Sequence, residues 1–377
     1  ATYTLVWTMD DKGTSRFTSA GVPGAAMKFS AVNMPPVLTA ASPPSRVVQN
    51  SLTPTLWARG SDPDRYPNGT LEYTFEVCEV EGSDARKNCR TGTRTREQSW
   101  AVPSGWLTWG KQYAWYVTVW DGANSSARPG PAYFTTRVPQ PAITSHLAGS
   151  GEQAGFSGQS GNYATSATDA AIPTIGPELS VTRTYNSLDP RTDTAFGAGW
   201  SSRWDMRITP DHTSWLSSQD VVVTFADGTQ ARFGRNADGS YAPPSGKFAT
   251  LKAVTGGGWT LADKQGDIYT FDASGRLTEI ADGAGRKQQL TYTDGRLTTA
   301  LDVTSGRSLS FTWTDGHVTR VATNAVGGGT GELAWTYTYS GDRLVKVCPP
   351  SSTTECTQYE YTDGSHYRST VLDRNPV

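Results

Sequence analysis

Four histidines, four cysteines and a recurring set of aspartates are the residues of this 377-residue sequence with the most chemistry to offer. The histidines His146, His212, His317 and His366 lie far apart. None stands in the His-Glu-x-x-His spacing that sets two metal ligands on one helix face. His317 fills a slot held by Arg276 and Arg296 in neighbouring stretches, which predicts a turn-flanking surface residue. A nucleophile elbow needs Gly-x-Ser-x-Gly, and Gly158-Gln-Ser-Gly-Asn162 fails at its last position. Gly246-Lys247 lacks the upstream glycine and the following hydroxyl of a phosphate loop. Asp272, Asp294, Asp315 and Asp363 form an array of carboxylates, but each stands beside a turn glycine, where aspartate caps its own backbone. A structural role is therefore expected of them, not acid–base work. Ser61-Asp62-Pro-Asp64, with Asn68-Gly69 nearby, has the oxygen-rich composition of a calcium loop and equally the form of a metal-free Asp-Pro-Asp turn. No catalytic residue and no cofactor is expected, and the chain is read as not an enzyme.

The cysteines fall into two local pairs. Cys78 and Cys89 flank a polar loop, and Cys348 and Cys356 flank Pro349-Pro-Ser-Ser-Thr-Thr-Glu355. Neither spacing is that of a zinc knuckle. Two loop-closing disulfides, which imply secretion, are one reading. Four buried thiols in a reducing cytosol are the other.

The elements that must position these residues are written in the last third of the chain. One phrase recurs there: Tyr269-Thr-Phe271-Asp272-Ala-Ser-Gly275-Arg-Leu277, then Tyr292-Thr-Asp294-Gly295-Arg-Leu297. It returns as Trp313-Thr-Asp315-Gly316-His-Val318, Tyr337-Thr-Tyr339-Ser-Gly341-Asp-Arg-Leu344 and Tyr359-Glu-Tyr361-Thr-Asp363-Gly364. A drifting period of roughly 20–25 residues signals repeated supersecondary units. Leu309, Phe311 and Trp313 alternate with hydroxyl residues, the period of a strand with one buried face. Asp-Gly then supplies the positive φ of a tight hairpin turn. A lone hairpin is marginal in water, so the units are expected to join into one coiling antiparallel sheet. Arg276, Arg296 and Arg343 recur beside the turns and are expected to ladder against neighbouring carboxylates.

These phrases resemble the YD repeats of Rhs-family proteins, found also in Tc-toxin C subunits and teneurins. Leu179-Ser-Val-Thr-Arg183-Thr-Tyr185-Asn186 and Phe196-Gly-Ala-Gly199-Trp200 resemble the segment that leads into those repeats. The style is that of large secreted actinobacterial Rhs proteins. The resemblance implies a hollow β-shell that encloses a C-terminal toxin or presents a receptor-binding surface, of which five repeats form a part. It also implies a late self-cleaving aspartyl segment, whose Asp-Pro-x-Gly core Asp373-Arg-Asn-Pro376 does not match.

Thirty-nine glycines, 22 prolines, 13 tryptophans and 16 tyrosines, with no long amphipathic helical run, predict an all-β chain. Residues 1–34 read as the end of a preceding β element and 35–138 as a β-sandwich. Its Leu107-x-x-Gly110-x-x-Tyr113-x-Trp115 layout resembles the tyrosine-corner strand of fibronectin type III domains. Residues 139–178 have linker composition, with an ordered plug segment as the alternative. Residues 179–377 hold the lead-in and the repeats. A net charge of −2 gives no field to draw nucleic acid, and no apolar run reaches membrane-span length. The sequence opens at Ala1 and stops at Val377 in the manner of a piece of something longer. The expected function is a secreted or cell-surface scaffold that carries or encloses a toxin-like domain of the parent chain. A module gripping cell-wall or surface glycans through Trp100, Trp106, Trp109 and Trp120 is the alternative, and a carbohydrate-active enzyme the third reading.

Overall fold

A computed structural model describes residues 2–7, 10–11, 15–16, 24–30, 32–64, 69–82, 84–147, 155–158, 160–211, 219–325, 331–361 and 371–373. The fold is all-β, built from antiparallel sheets of which none closes among the described residues. The chain divides into two compact units, residues 1–107 with 111–135, and residues 108–110 with 136–377.

In the first unit, Thr2–Trp7 pairs with Ala25–Ser30 as a hairpin. A three-stranded sheet in the order Ser99–Ala101, Thr55–Ser61, Val37–Ser42 faces a five-stranded one. The latter runs Val47–Gln49, Ala132–Thr136, Gln112–Trp120, Glu72–Glu81, Ala85–Thr91. Tyr73, Phe75 and Val77 on one central strand and Trp115, Val117 and Val119 on the next alternate inward, because successive side chains leave opposite faces of a strand. Leu56 and Ala58 meet them from the smaller sheet.

In the second unit, the strand Tyr163–Ile172 lies inside the stretch of linker composition. Its Ala, Thr and Ser residues do not remain free coil. They pair along Leu179–Asn186 and bury Ala164, Ala170 and Ile172, so tertiary burial overrides composition. Trp200–Ser202 extends this sheet, and a small sheet from Arg207–Pro210 to Tyr241–Ala242 follows. Twelve strands from Thr250–Ala253 to Val371–Asp373 then pair each with the next in chain order. One face of this long sheet buries Leu277, Leu290, Phe311, Tyr337 and Tyr359 in a continuous core with Tyr185, Phe196 and Trp200 of the lead-in. The intervening Gln289, Thr291, Thr312 and Thr336 are exposed.

Among the described residues a β-bulge recurs in the first four repeats. The register slips between Thr270 and Phe271, Thr291 and Tyr292, Thr312 and Trp313, and Thr338 and Tyr339. The extra residue on the facing strand is Thr278, Thr298, Thr319 or Val345. Each of the three threonine hydroxyls donates to the carbonyl of the facing threonine, at 3.1–3.3 Å. A bulge bends its strand and increases the right-handed twist, so repetition of this device coils the sheet.

Candidate functional site

The recurring Arg-Leu pair is recognised by the aromatic residue of the following repeat. Tyr292 Oη donates to Leu277 O, Trp313 Nε1 to Leu297 O, Tyr339 Oη to Val318 O and Tyr361 Oη to Leu344 O, each at 2.7 Å. The same rings lie beneath the residue before that aliphatic. Arg276 sits 5.3 Å from the Tyr292 ring centre, Arg296 5.8 Å from Trp313 and Arg343 5.3 Å from Tyr361. In the third step His317 stacks on Tyr339 at 4.9 Å. The arginine ladder thus runs over ring faces, which attract cations, and the expected carboxylate ladder is corrected. Arg276 also pairs with the Asp272 carboxylate at 2.8 Å.

Burial raises the phenols of Tyr292, Tyr339 and Tyr361 well above their ordinary value, and that of Tyr269 to about 12. A raised folded-state value means that the native chain holds these protons more tightly than the unfolded one. Their stabilisation is therefore complete below the ordinary tyrosine value of about 10 and is lost as the pH climbs through the folded values. Tyrosinate absorbance is expected to reach its full amplitude only together with loss of the β-sheet circular dichroism signal as pH rises past about 12. Full tyrosinate amplitude with the signal intact would contradict this.

The turn aspartates divide into two kinds. Asp272 Oδ1 accepts from the amides of Ser274 and Arg276, the expected capping geometry. Asp294 and Asp315 instead take left-handed backbone, with φ of 50° and 49°, followed by Gly295 and Gly316 at 79° and 91°. Positive φ at both central residues is what a two-residue hairpin turn requires, so these aspartates act through conformation and not capping. Gly341 has a φ of 58° and opens its own two-residue turn with Asp342. Asp363, Gly364, His212 and His366 lie outside the described residues. The opposite edge of the sheet carries caps that the repeat phrase did not include. Asp282 accepts from the Ala284 and Arg286 amides and pairs with the Arg286 side chain. The Asp-x-x-Gly-Arg spacing shared with Asp272–Arg276 was the available signal.

His317 is not a surface residue. It is 5% exposed, with Nδ1 3.0 Å from Thr194 O and Nε2 3.3 Å from an Asp342 carboxylate oxygen. The lead-in crosses the turn edge at this point and covers the ring. Its backbone joins the sheet here through Val318 N to Ala195 O, Ala198 N to Asp342 O and Ile208 N to Gly275 O.

Deeper in the same unit Arg183 is completely buried. Its guanidinium makes a bidentate pair with Asp169 at 2.6 and 2.8 Å, and Nη2 also donates to Tyr359 Oη at 3.2 Å. Asp169 is the unpaired residue of a bulge between Thr168 and Ala170, and it also accepts from Tyr337 Oη at 2.9 Å. Among the described residues Arg183 Nη1 has no hydrogen-bond acceptor. Its planar group lies 4.5 Å from the Trp200 ring centre, with Phe196, Tyr337 and Tyr359 at 5.6–5.9 Å, so ring faces surround the charge. Trp200 Nε1 in turn donates to Tyr361 Oη.

Between the lead-in and the turn edge lies a cavity of about 240 Å³, walled by Arg207, Arg276, Arg296, Tyr292, Trp204 and Trp313, among others. Guanidinium and ring faces suit it to holding a flat or anionic group. Two carboxylates also line it. Desolvation pushes the Asp205 carboxyl up, and its oxygens accept from Ala195 N, Ser202 N and Ser202 Oγ. Asp193 lies 3.8 Å from Arg207, both half-exposed or more.

Cys78 is bonded to Cys89 and Cys348 to Cys356. Removing the second bond by the double change Cys348→Ala/Cys356→Ala is expected to cost about 2–3 kcal/mol, the closure entropy of so short a loop. Urea unfolding of the two proteins side by side measures it, and an unchanged midpoint would refute it. Asp62 and Asp64 form an Asx turn, the Asp64 amide donating to Asp62 Oδ1. Asn68 lies outside the described residues. Trp100 stacks on Phe75 and meets Trp106 edge-on, Trp109 is buried, and Trp120 lies beneath Arg94.

Residues 158–233, the lead-in and the strands after it, match a domain of unknown function, DUF6531. A stretch of 140 residues, 37% of the chain, is 33% identical to the tRNA nuclease WapA of Bacillus subtilis strain 168. The same extent is 32% identical to the tRNA3(Ser)-specific nuclease WapA of Bacillus spizizenii, and 33% identical to the tRNA(Glu)-specific nuclease WapA of Bacillus subtilis subsp. natto. The matched stretch spans 6% of the length of each of these relatives. The expectation that the chain is not an enzyme is corrected by this finding, because all three relatives are named as nucleases. Nothing in the repeat phrase or the histidine spacing carried that signal. Among the described residues no helix is long and apolar enough to cross a membrane.

Proposed function

We propose that this chain is the lead-in and first repeats of a secreted Rhs-type polypeptide, and that it serves a tRNA nuclease by forming part of the wall that carries or encloses the toxin domain. The first unit acts as a fibronectin type III-like spacer, a reading supported by its three-plus-five strand order and by Tyr113 buried against Phe134. The observation that carries the proposal is the Arg183 anchor. It fastens the lead-in into the core of a sheet that carries four repeated bulges and four ring-to-carbonyl clasps among the described residues. A surface of that kind grows by repetition and keeps a buried lining. The two disulfides fit an oxidising compartment.

The test uses the polypeptide as its host makes it, with and without residues 139–377, comparing protease resistance of the nuclease segment and cleavage of tRNA. The deletion is expected to expose the nuclease segment to protease while that segment, once freed, still cleaves tRNA. Equal protection without residues 139–377 would overturn the enclosing role.

A further inference from the structure

The cavity between the lead-in and the turn edge gathers guanidinium groups from separate stretches of chain. Arg207 comes from the lead-in, and Arg276 and Arg296 follow the turns of two successive repeats. Arg207 and Arg276 are direct partners in an antiparallel bridge, fastened by Ile208 N donating to Gly275 O at 2.8 Å. Like charges placed opposite one another on neighbouring strands repel, so this pairing favours a negative group shared between them. The carboxylates of the neighbourhood are largely engaged already. Asp272 holds Arg276 at 2.8 Å, and Asp189 holds Arg191, which also lines the cavity. Asp205 gives its oxygens to Ala195 N, Ser202 N and Ser202 Oγ. Asp193, 69% exposed at its side chain, stands 3.8 Å from Arg207. Arg296 rests over the Trp313 ring, 5.8 Å from its centre, and has no carboxylate partner among the described residues.

We propose that this cavity binds the oxyanion of a small molecule, a phosphate or carboxylate group, through the guanidinium groups of Arg207, Arg276 and Arg296. The planar fork of arginine presents paired N–H donors that match the oxygens of either group. Arg276 is fixed by Asp272 and the Tyr292 ring, and Arg296 by the Trp313 ring. Donors held in place before a ligand arrives lose less side-chain freedom on binding, which favours affinity. The polar atoms of the two rings are committed elsewhere, Tyr292 Oη to Leu277 O and Trp313 Nε1 to Leu297 O, each at 2.7 Å. The arginines are therefore the groups of this wall that can meet a charge. A cavity of about 240 Å³ has room for such an oxyanion together with a small body that carries it. Like-placed arginines recur in the repeat phrase, but Arg207 stands outside it and joins them only through the crossing of the lead-in. Binding of this kind is independent of whether the chain encloses a nuclease.

The experiment titrates the whole chain by calorimetry with sodium phosphate and, separately, with sodium succinate, at low ionic strength so that exposed charges stay unscreened. Saturable binding at a single site is expected, with a dissociation constant of about 1 mM or tighter for the preferred anion. The tighter of the two probes identifies which group the cavity takes. Arg296→Gln is expected to retain the wild-type circular dichroism and to weaken that anion about tenfold or more, the loss of a charge-assisted hydrogen bond. Arg207→Gln makes the same test from the lead-in side and is expected to weaken it to a similar degree. Lys252→Gln, which removes an exposed cation outside the cavity, is expected to leave the affinity unchanged. Flat titrations with both anions up to about 20 mM would overturn the proposal. So would wild-type affinity in both arginine variants, or an equal loss in Lys252→Gln, which would mark diffuse attraction to surface charge.

Discussion

Replacing Arg183 with methionine is expected to destabilise the second unit by about 3–5 kcal/mol, the usual cost of breaking a buried ion pair by removing one partner. The reason is the residue left behind. Asp169 is 8% exposed at its side chain, and without the guanidinium it retains, among the described residues, the Tyr337 hydroxyl as its donor. The ring cage of Trp200, Phe196, Tyr337 and Tyr359 would also lose the charge it surrounds. Urea unfolding monitored by circular dichroism measures the change. The double change Asp169→Leu/Arg183→Met is expected to return much of the loss, since apolar side chains of similar size often replace buried pairs at little cost. A single variant as stable as wild type would remove Arg183 from its anchoring role. A double variant as damaged as the single one would show that the rings, and not the stranded carboxylate, set the cost.

The second large effect is a contrast between two glycines at equivalent places in the repeat. Gly275→Ala is expected to cost about 4 kcal/mol or more, at the exceptional end for a single change. Gly295→Ala is expected to cost about 1–2 kcal/mol, the strain of a left-handed residue that has a Cβ. Both glycines have positive φ, 77° and 79°. Around Gly295 an added methyl meets nothing within 4 Å. At Gly275 it would fall on the carbonyl oxygen of Ile208, where the lead-in strand crosses the turn and its amide donates to Gly275 O at 2.8 Å. A backbone oxygen cannot swing aside as a side chain can. Parallel urea titrations of the two variants decide the matter, and equal costs would mean that the crossing is looser than described.

That pair also marks the boundary between what was legible in the sequence and what was not. Period-two alternation at Leu309, Phe311 and Trp313 and the Asp-Gly dipeptides specify hairpins by local rules, because strand faces and positive-φ turns are properties of a few adjacent residues. The all-β class follows from the same patterns. The repeat period adds that the hairpins join, since one alone cannot bury its apolar row.

Local rules could not say which of the like-placed residues meets a partner. His317 and Arg296 hold the same slot, yet the lead-in covers the histidine and leaves the arginine exposed. Arg183 and Asp169 are ordinary polar letters in their strands, and only a bulge and the docking of the repeat face make them a buried pair. The stretch around Tyr163–Ile172 reads as a linker because Ala, Ser and Thr carry weak propensity, and it becomes a strand because Leu179–Asn186 offers it an edge. The sequence by itself determined the class of fold, the repeat and its turns, for these depend on neighbours along the chain. The tertiary structure decided the anchor, the crossing at Gly275 and the arginine-lined cavity, for each joins residues that chain distance keeps apart.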